Sequence, residues 1–477
     1  MTISEYLKKN GPSLSSVLIK EFSTDSISQN AIRQRLSRLK SPIKKLKGFF
    51  KDNQSFFYLE EQFLSEQYKV NLLKALRTDA KAHYAIVRAL EYHYGFLNKE
   101  HLPQNSFSPV KNLTSHKNFK NVLEDLKFLG VILEDGEYIS LNDSYRDKKN
   151  NFQLYKGIEL AKQTLLSQFY DYARSIGLVS YDSGKFQSEF SKLQFGFVAP
   201  SYICGIVKYI NSSINPAFVV ADVLVGNNVT IEDVDIFLKK IDIIKNTSKS
   251  NFLPYLIVQN INQDAFQALK EKGIIVGFVN KLFGSEYEDL LKSLISITAN
   301  AGAILKNNPE AYIELITKLN KLVDGKTNNL KGDIFELAVG YYYSNISQSI
   351  DVGKKLNQNG QQKEIDVYSN SQERIVICEC KAYKRKIKLE EVEKWITQKI
   401  PTIYDWIRGF EYDKEIIFEF WSTSGFNSDA EDFLIKRKQS MRKYKTDFLD
   451  EKEILARAQK SKAHKITDIM REYFLKD

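Results

Sequence analysis

The chain is poor in cysteine and histidine and has no long apolar run. Its cysteines are Cys204, Cys378 and Cys380, and their spacing supplies neither a disulfide framework nor a zinc site. That usage suits a reducing, cytoplasmic setting. No stretch of about 18 apolar residues occurs, so no membrane-spanning helix is expected. The start, Met1 to Asn10, is polar and does not read as a signal peptide. The histidines (His83, His93, His101, His116 and His464) all lie outside residues 330–425, which removes histidine-based and zinc-based hydrolysis from that block. There is no glycine-rich Walker loop, so no ATP motor is expected.

What is present suits several packed domains. At 477 residues, with 43% hydrophobic and 12% aromatic content, three or four domains are expected. The formal charge of +10 and a pI near 9.0 favour a polyanionic partner.

The most informative segment is 364–381. Glu364-Ile365-Asp366-Val367-Tyr368 is followed by a polar break and then Ile375-Val376-Ile377-Cys378-Glu379-Cys380-Lys381. Strand alternation puts Glu379 and Lys381 on one face and the two cysteines on the other. Two carboxylates can hold a hard divalent cation, and a lysine beside them can orient or deprotonate a water. An isolated Glu379–Lys381 ion pair is the structural alternative, although buried pairs are weak stabilising devices.

These residues resemble the PD-(D/E)xK nuclease superfamily, with its restriction-endonuclease-like fold. The superfamily places a further acid on a preceding helix, and Gly332-Asp333-Ile334-Phe335-Glu336 supplies it as Glu336. A helix is expected over Ile387–Ile400 and a closing strand over Glu415–Ser422, running into Gly425-Phe426 and a helix near Ser428. That ending is similar to Mrr-like restriction enzymes. The resemblance implies metal-dependent hydrolysis of DNA phosphodiesters. Asp366, Glu379 and the backbone carbonyl of Cys380 would bind Mg²⁺ (or Mn²⁺), and Glu336 would hold a second metal or a metal-bound water. Lys381 would position the attacking water. Gln398 would contact substrate, as a helix glutamine does in the RecB-like branch, but Tyr404 lies two residues beyond that branch's tyrosine.

Residues 1–75 resemble a winged helix-turn-helix. Ser13–Phe22 and Gln29–Leu39 read as helices, with Ala31, Ile32, Leu36 and Leu39 inward and Ser28 as the cap. Gln29, Asn30, Arg33, Gln34, Arg35 and Arg38 occupy the other helix face, followed by Lys44, Lys45 and Lys47 and an aromatic hairpin turning at Asp52-Asn53. Such residues contact bases and phosphates; a packing module with solvated arginines is the alternative. Residues 76–150 repeat the pattern with an Asp135-Gly136 turn and less basic charge, suiting a structural, dimer or DNA-binding role.

An internal repeat is also expected. Phe218–Leu224 resembles Ile375–Lys381, Val229–Val234 matches Ile387–Val392, and Asn260–Phe266 echoes Gly425–Glu431. Residues 151–290 are thus expected to be a degenerate nuclease-like α/β domain, with Asp222 in the place of Glu379, Leu224 in that of Lys381, and Tyr209 near the place of Asp366. A plain α/β domain with coincidental patterning is the alternative. Residues 291–325 read as a helical linker broken at Asn307-Asn308-Pro309. Residues 326–440 are expected to form the nuclease domain, and 441–477 a basic helical tail running through Lys476. The expected class is therefore multidomain α/β: winged-helix domains followed by two restriction-endonuclease-like domains, the first degenerate and the second active.

The partner expected is DNA, with RNA left open. A homodimer is expected because double-strand cutting needs two active sites. The modular arrangement suits restriction or anti-phage defence, with defence-system partner proteins. A repair or junction-processing nuclease is one alternative. A non-catalytic DNA-binding regulator is another.

Overall fold

The computed structural model describes residues 1–145, 151–210, 213–323, 328–358, 361–411, 413–461 and 464–475. The boundaries expected at 150 and at 325–326, and Lys476, lie outside them.

Two small units open the chain. In the first, helices Ile3–Asn10, Ser15–Phe22 and Gln29–Ser37 pack on β1 (Ser13–Leu14), β2 (Ile43–Lys47) and β3 (Ser55–Leu59), in the order β1-β3-β2. Thr2 caps the first helix, which the sequence reading missed, through a capping box with Glu5. Ser28 caps the third by accepting the Ala31 amide. Ile32 and Leu36 are buried, but Ala31 is exposed rather than inward. Phe49 and Phe50 precede the strand instead of forming it, and the turn falls at Asp52 and Asn53, both at positive φ. The second unit sets helices Glu66–Asp79, Lys81–Tyr92 and Phe119–Phe128 beside β4 (Phe96–Asn98), β5 (Ile132–Asp135) and β6 (Tyr138–Leu141), again in the order edge, last, middle. Gly136, at φ +54°, forms the Asp-Gly turn.

Two five-stranded sheets follow. The first contains β7 (Lys185–Phe190) and β8 (Leu193–Ser201). A separate hairpin of β9 (Lys208–Ile210) and β10 (Ser213–Asn215) intervenes before β11 (Ala217–Val229), β12 (Phe252–Ile261) and β13 (Ile275–Phe278) complete the sheet. The second contains β14 (Ser349–Gln358), β15 (Gln361–Asn370), β16 (Arg374–Lys381), β17 (Glu415–Ser422) and β18 (Lys445–Leu449). In each sheet the first two ladders are antiparallel and the last two parallel. The two sheets have the same strand order and the same strand sense.

Three expectations need correction. The described part of the region expected as a linker, residues 291–323, is not a linker. Helices Ser285–Ala299, Ala301–Asn307 and Pro309–Val323 place Leu291, Leu294, Leu305, Tyr312 and Ile316 in one apolar core with strands of both sheets. The 441–477 segment is not a solvated tail. Its Lys445–Leu449 forms the fifth strand, β18, and Ile454, Ala458, Ile466, Met470 and Phe474 are buried in that core. The lysines there cover only the outer faces, which masked the apolar stripe. Finally, the helix expected to end at Ile400 continues to Arg408, with a π-helical turn at Trp395–Lys399 between its α-helical parts.

Candidate active site

β16 is apolar because both faces of the sheet are covered. Val376, Cys378 and Cys380 pack toward helix Asn328–Ser344, while Ile375 and Ile377 pack toward the helices that follow the strand. Polar side chains can therefore gather only at its C-terminal end. There the β15–β16 ladder stops at the pair Val367–Cys378, and the next residues, Asp366 and Glu379, face one another. Asp366 takes over the freed backbone: Cys380 N–H donates to Asp366 Oδ2 at 2.8 Å.

Lysines surround these acids. Lys381 Nζ lies 2.8 Å from Glu379 Oε1 and 4.0 Å from Asp366 Oδ2. Lys399, at the end of the π-helical turn, donates to Glu379 Oε2 and lies 3.4 Å from Asp366 Oδ1. Lys399 enters from a helix whose inward stripe is otherwise apolar. On the far side Glu336, from helix Asn328–Ser344, joins Glu364 and Asp366. One carboxylate oxygen of each lies within 4.8 Å of the others, a set able to ligate a metal. Lys156, from helix Phe152–Ser175 beside the first sheet, reaches across to Glu336 Oε2 at 2.7 Å and Glu364 Oε1 at 2.6 Å.

Charge follows burial. Burial pushes the Asp366 carboxyl up, but Lys399, Lys381, Lys156 and the Cys380 amide outweigh it, leaving the acid below its usual range. Glu336 goes the other way: burial and the neighbouring Asp366, Glu364 and Asp333 carboxylates raise it well above the usual range despite Lys156. Asp333 is pushed up to about 6, chiefly by burial. Burial lowers Lys381, but Glu379 and Asp366 more than compensate and hold it well above a free lysine. With 28% of its side chain exposed, Lys381 is the ammonium of this group that opens most to solvent.

Asp366, Glu379, Lys381, Glu336 and the Cys380 backbone are thus brought together. Gln398 is exposed, and its neighbour Lys399 is the residue that enters the site. Sequence reading missed Glu364, Lys399 and Lys156. Glu364 shares a strand face with Asp366, two positions away, and could have been found by alternation. Lys399 falls on the apolar stripe Val392-Trp395-Ile396-Ile400-Ile403, where a charge is out of place. Lys156 carries only a weak signal of that kind.

The equivalent place in the first sheet is closed. The β8–β11 ladder ends at Phe197–Ala221, so Gly196 faces Asp222 where Asp366 faces Glu379. Tyr209 is not near that place: it sits on the separate β9–β10 hairpin, 64% exposed. Asp222 accepts from the Gly196 amide at 2.7 Å and pairs with Lys240 at 2.8 Å. Lys240 also donates to the Gln104 carbonyl, and Arg88 pairs with Asp233 at 2.7 Å. Residues of the second small unit therefore plug this cleft. His93 and Lys162, 3.0 Å apart, line the same small cavity, about 40 Å³.

In the first small unit, Gln29, Asn30, Arg33, Gln34, Arg35, Arg38, Lys44 and Lys47 are exposed, whereas Lys45 is half-buried. Lys44 is held by Glu60 at 2.7 Å, and Lys45 donates to the Ser37 carbonyl at 3.1 Å. Among the described residues, no helix is long and apolar enough to cross a membrane.

No protein-family model and no curated protein matches the chain. Among solved structures, similarity is found to restriction endonuclease FokI bound to DNA, at 14% identity over 57% of this chain and 58% of that one, TM-score 0.17. Protein VC1899 from Vibrio cholerae matches at 10% over 50% and 56%, TM-score 0.17. The DNA modification-dependent restriction endonuclease AspBHI matches at 8% over 57% and 63%, TM-score 0.17. The chain spans less than two thirds of each of these structures. At that TM-score the overall superposition carries no functional weight, and the site's capability follows from its own residues.

Proposed function

We propose that the chain is a metal-dependent deoxyribonuclease with a restriction-endonuclease-like C-terminal unit acting in restriction or anti-phage defence. The observation that carries this reading is the meeting of Asp366, Glu379 and Lys381 where β15 and β16 part, with Glu336 and Glu364 opposite. A structural ion pair needs one acid and one base. This end of the sheet gathers several of each, at a desolvation cost that stability alone does not justify.

Asp366 and Glu379, facing one another where the ladder ends, offer oxygen donors that fit a hard divalent cation such as Mg²⁺ or Mn²⁺. Asp366, Glu379 and the Cys380 carbonyl would hold it. When bound, such an ion would neutralise negative charge on the phosphate oxygens and make a nearby water more acidic. The Cys380 amide fixes the Asp366 carboxylate so that it need not reorganise as charge develops. Lys381, held protonated by its acid neighbours, acts as a hydrogen-bond donor and fixed positive charge rather than as a base. Its Nζ orients the attacking water and faces the charge growing on the phosphoryl group. Before a metal enters, Lys399 holds the Glu379 carboxylate in place.

The N-terminal unit, read as a winged helix, would present Gln29, Arg33 and Arg35 to DNA, with Lys47 toward the backbone. Homodimerisation would supply the second active site needed to cut a duplex, since the first sheet lacks counterparts of Asp366 and Lys381. The test is plasmid nicking with Mg²⁺ or Mn²⁺ by the wild-type chain and by Asp366→Asn. Cleavage that is metal-independent, or undiminished in the variant, refutes the reading.

A further inference from the structure

We propose that the Lys156 ammonium permanently fills the second cation position of this site, so that the enzyme works with a single divalent ion. This inference rests on the nuclease reading and adds the site's metal count and the origin of one of its charges.

Glu336, Glu364 and Asp366 form the one group of three ligand-bearing side chains among the described residues whose donor atoms converge closely enough for a metal. Its far side is already taken. Lys156 Nζ bonds Glu336 Oε2 at 2.7 Å and Glu364 Oε1 at 2.6 Å, with only 12% of its side chain exposed. A divalent ion bridging Glu336 and Glu364 would have to expel this ammonium, because both contacts lie at full hydrogen-bond length.

Expulsion has nowhere to go. The stem of Lys156 passes Gly353 on β14, where an added Cβ would come within 3.1 Å of Lys156 Cδ. Gly353 lies opposite Asp366 in the β14–β15 register and takes φ +64°, so a glycine here opens the passage along which the lysine enters. The helix carrying Lys156 is pinned on both sides of it. Tyr155 is buried with its hydroxyl accepting the Asn98 amide at 2.9 Å, and Gly157 lies so close to Ile295 that an added Cβ would meet its backbone at 3.0 Å. Lys399 differs: it approaches from the helix that follows β16, 20% exposed, and pairs with the first-position acids Asp366 and Glu379. The first position can therefore exchange its ammonium for a metal, and the second cannot.

Two consequences follow. Glu336 acts as a positioning residue that holds Lys156, not as a metal ligand. The active site of the second sheet is completed by a helix that packs against the first sheet, so the degenerate half contributes a charge to the reaction centre of the other.

The experiment titrates Mn²⁺ into the full-length chain and follows bound ions per chain together with the electron paramagnetic resonance spectrum, which separates an isolated ion from an exchange-coupled pair. The wild type is expected to show only isolated Mn²⁺ at saturation. Lys156→Met, which removes the charge and keeps the bulk, is expected to bind one more ion per chain and show the coupled-pair spectrum. Its melting temperature should also rise more with Mn²⁺ than that of the wild type. Glu336→Gln is expected to leave the wild-type count unchanged. A coupled pair in the wild type overturns the proposal, as does a folded Lys156→Met with no added ion or an ion lost from Glu336→Gln. If Lys156→Met does not fold, the wild-type spectrum and Glu336→Gln decide. A wild type that binds no Mn²⁺ dependent on Asp366 refutes the nuclease reading itself, and the proposal with it.

Discussion

Cys380 donates its backbone N–H to Asp366 Oδ2 at 2.8 Å, where the ladder between their strands has just ended. One carboxylate thus repairs a break in the sheet and offers its other oxygen to the cleft. Structure and chemistry can be separated by substitution. Asp366→Asn keeps an oxygen to accept the amide and is expected to fold normally while losing cleavage by about 100-fold or more. Asp366→Ala leaves the buried Cys380 amide without its acceptor and should cost a further ~1–3 kcal/mol in urea denaturation.

The first sheet keeps the acid–lysine pair without the chemistry. Asp222 and Lys240 match Glu379 and Lys399 in placement, and Lys240 has 0% of its side chain exposed. Asp222→Ala strands a buried ammonium and is expected to destabilise the chain by about 3–5 kcal/mol. Below the variant's melting transition, cleavage per folded molecule should match the wild type. Loss of turnover in the folded fraction would show that the first sheet takes part in the reaction.

His93 predicts a pH dependence. Burial, then the Lys162 ammonium, pushes its imidazole down to about 3. Nδ1–H donates to the Ala89 carbonyl at 2.7 Å, and Nε2 accepts from Lys162. The folded chain keeps this histidine neutral while the unfolded chain protonates it near pH 6.5, so the unfolded state binds more protons between those values. Stability is full above about pH 6.5 and falls as the pH drops, by about 2 kcal/mol from this group at pH 5. His93→Gln, which can still accept from Lys162, should flatten that limb in urea midpoints measured at pH 5 and pH 7.5.

The helix Gln29–Ser37 makes a graded prediction for DNA. Arg35 is exposed, and Arg33 is tied only to Asn30 at 2.8 Å, whereas Lys44 and Lys45 are already held by Glu60 and the Ser37 carbonyl. Arg33→Ala and Arg35→Ala should each weaken duplex binding and reduce the salt slope by about 1, measured by fluorescence anisotropy. Lys45→Ala should change the slope little. Equal losses at all three positions would contradict a helix-led interface.

What the sequence disclosed was local. Alternation located β16 and its two faces, and the apolar run Glu415–Ser422 matches β17. Asp135-Gly136 marked a hairpin, and Asn308-Pro309 a helix break. What it concealed depends on contacts far apart in the chain. Lys156 and Glu336 meet across 180 residues, and no periodicity reports such a pairing. Lys399 keeps the helical spacing of its apolar neighbours, so its charge reads as an intrusion, but only the fold shows that it meets Asp366 and Glu379. The last strand and helices were hidden by lysines whose stems cover an apolar stripe, so their charge outweighed their packing in the pattern.

The central claim is that Lys381 and the facing acids cleave DNA with a divalent ion. Its most direct test is the initial rate of supercoiled-plasmid nicking in Mg²⁺ by the wild type and by Lys381→Met, each verified as folded by circular dichroism. The account predicts Mg²⁺-dependent nicking that EDTA abolishes and that Lys381→Met reduces by about 100-fold or more. Wild-type chains that leave plasmid intact across divalent metals, or a folded Lys381→Met variant that nicks at the wild-type rate, would contradict it.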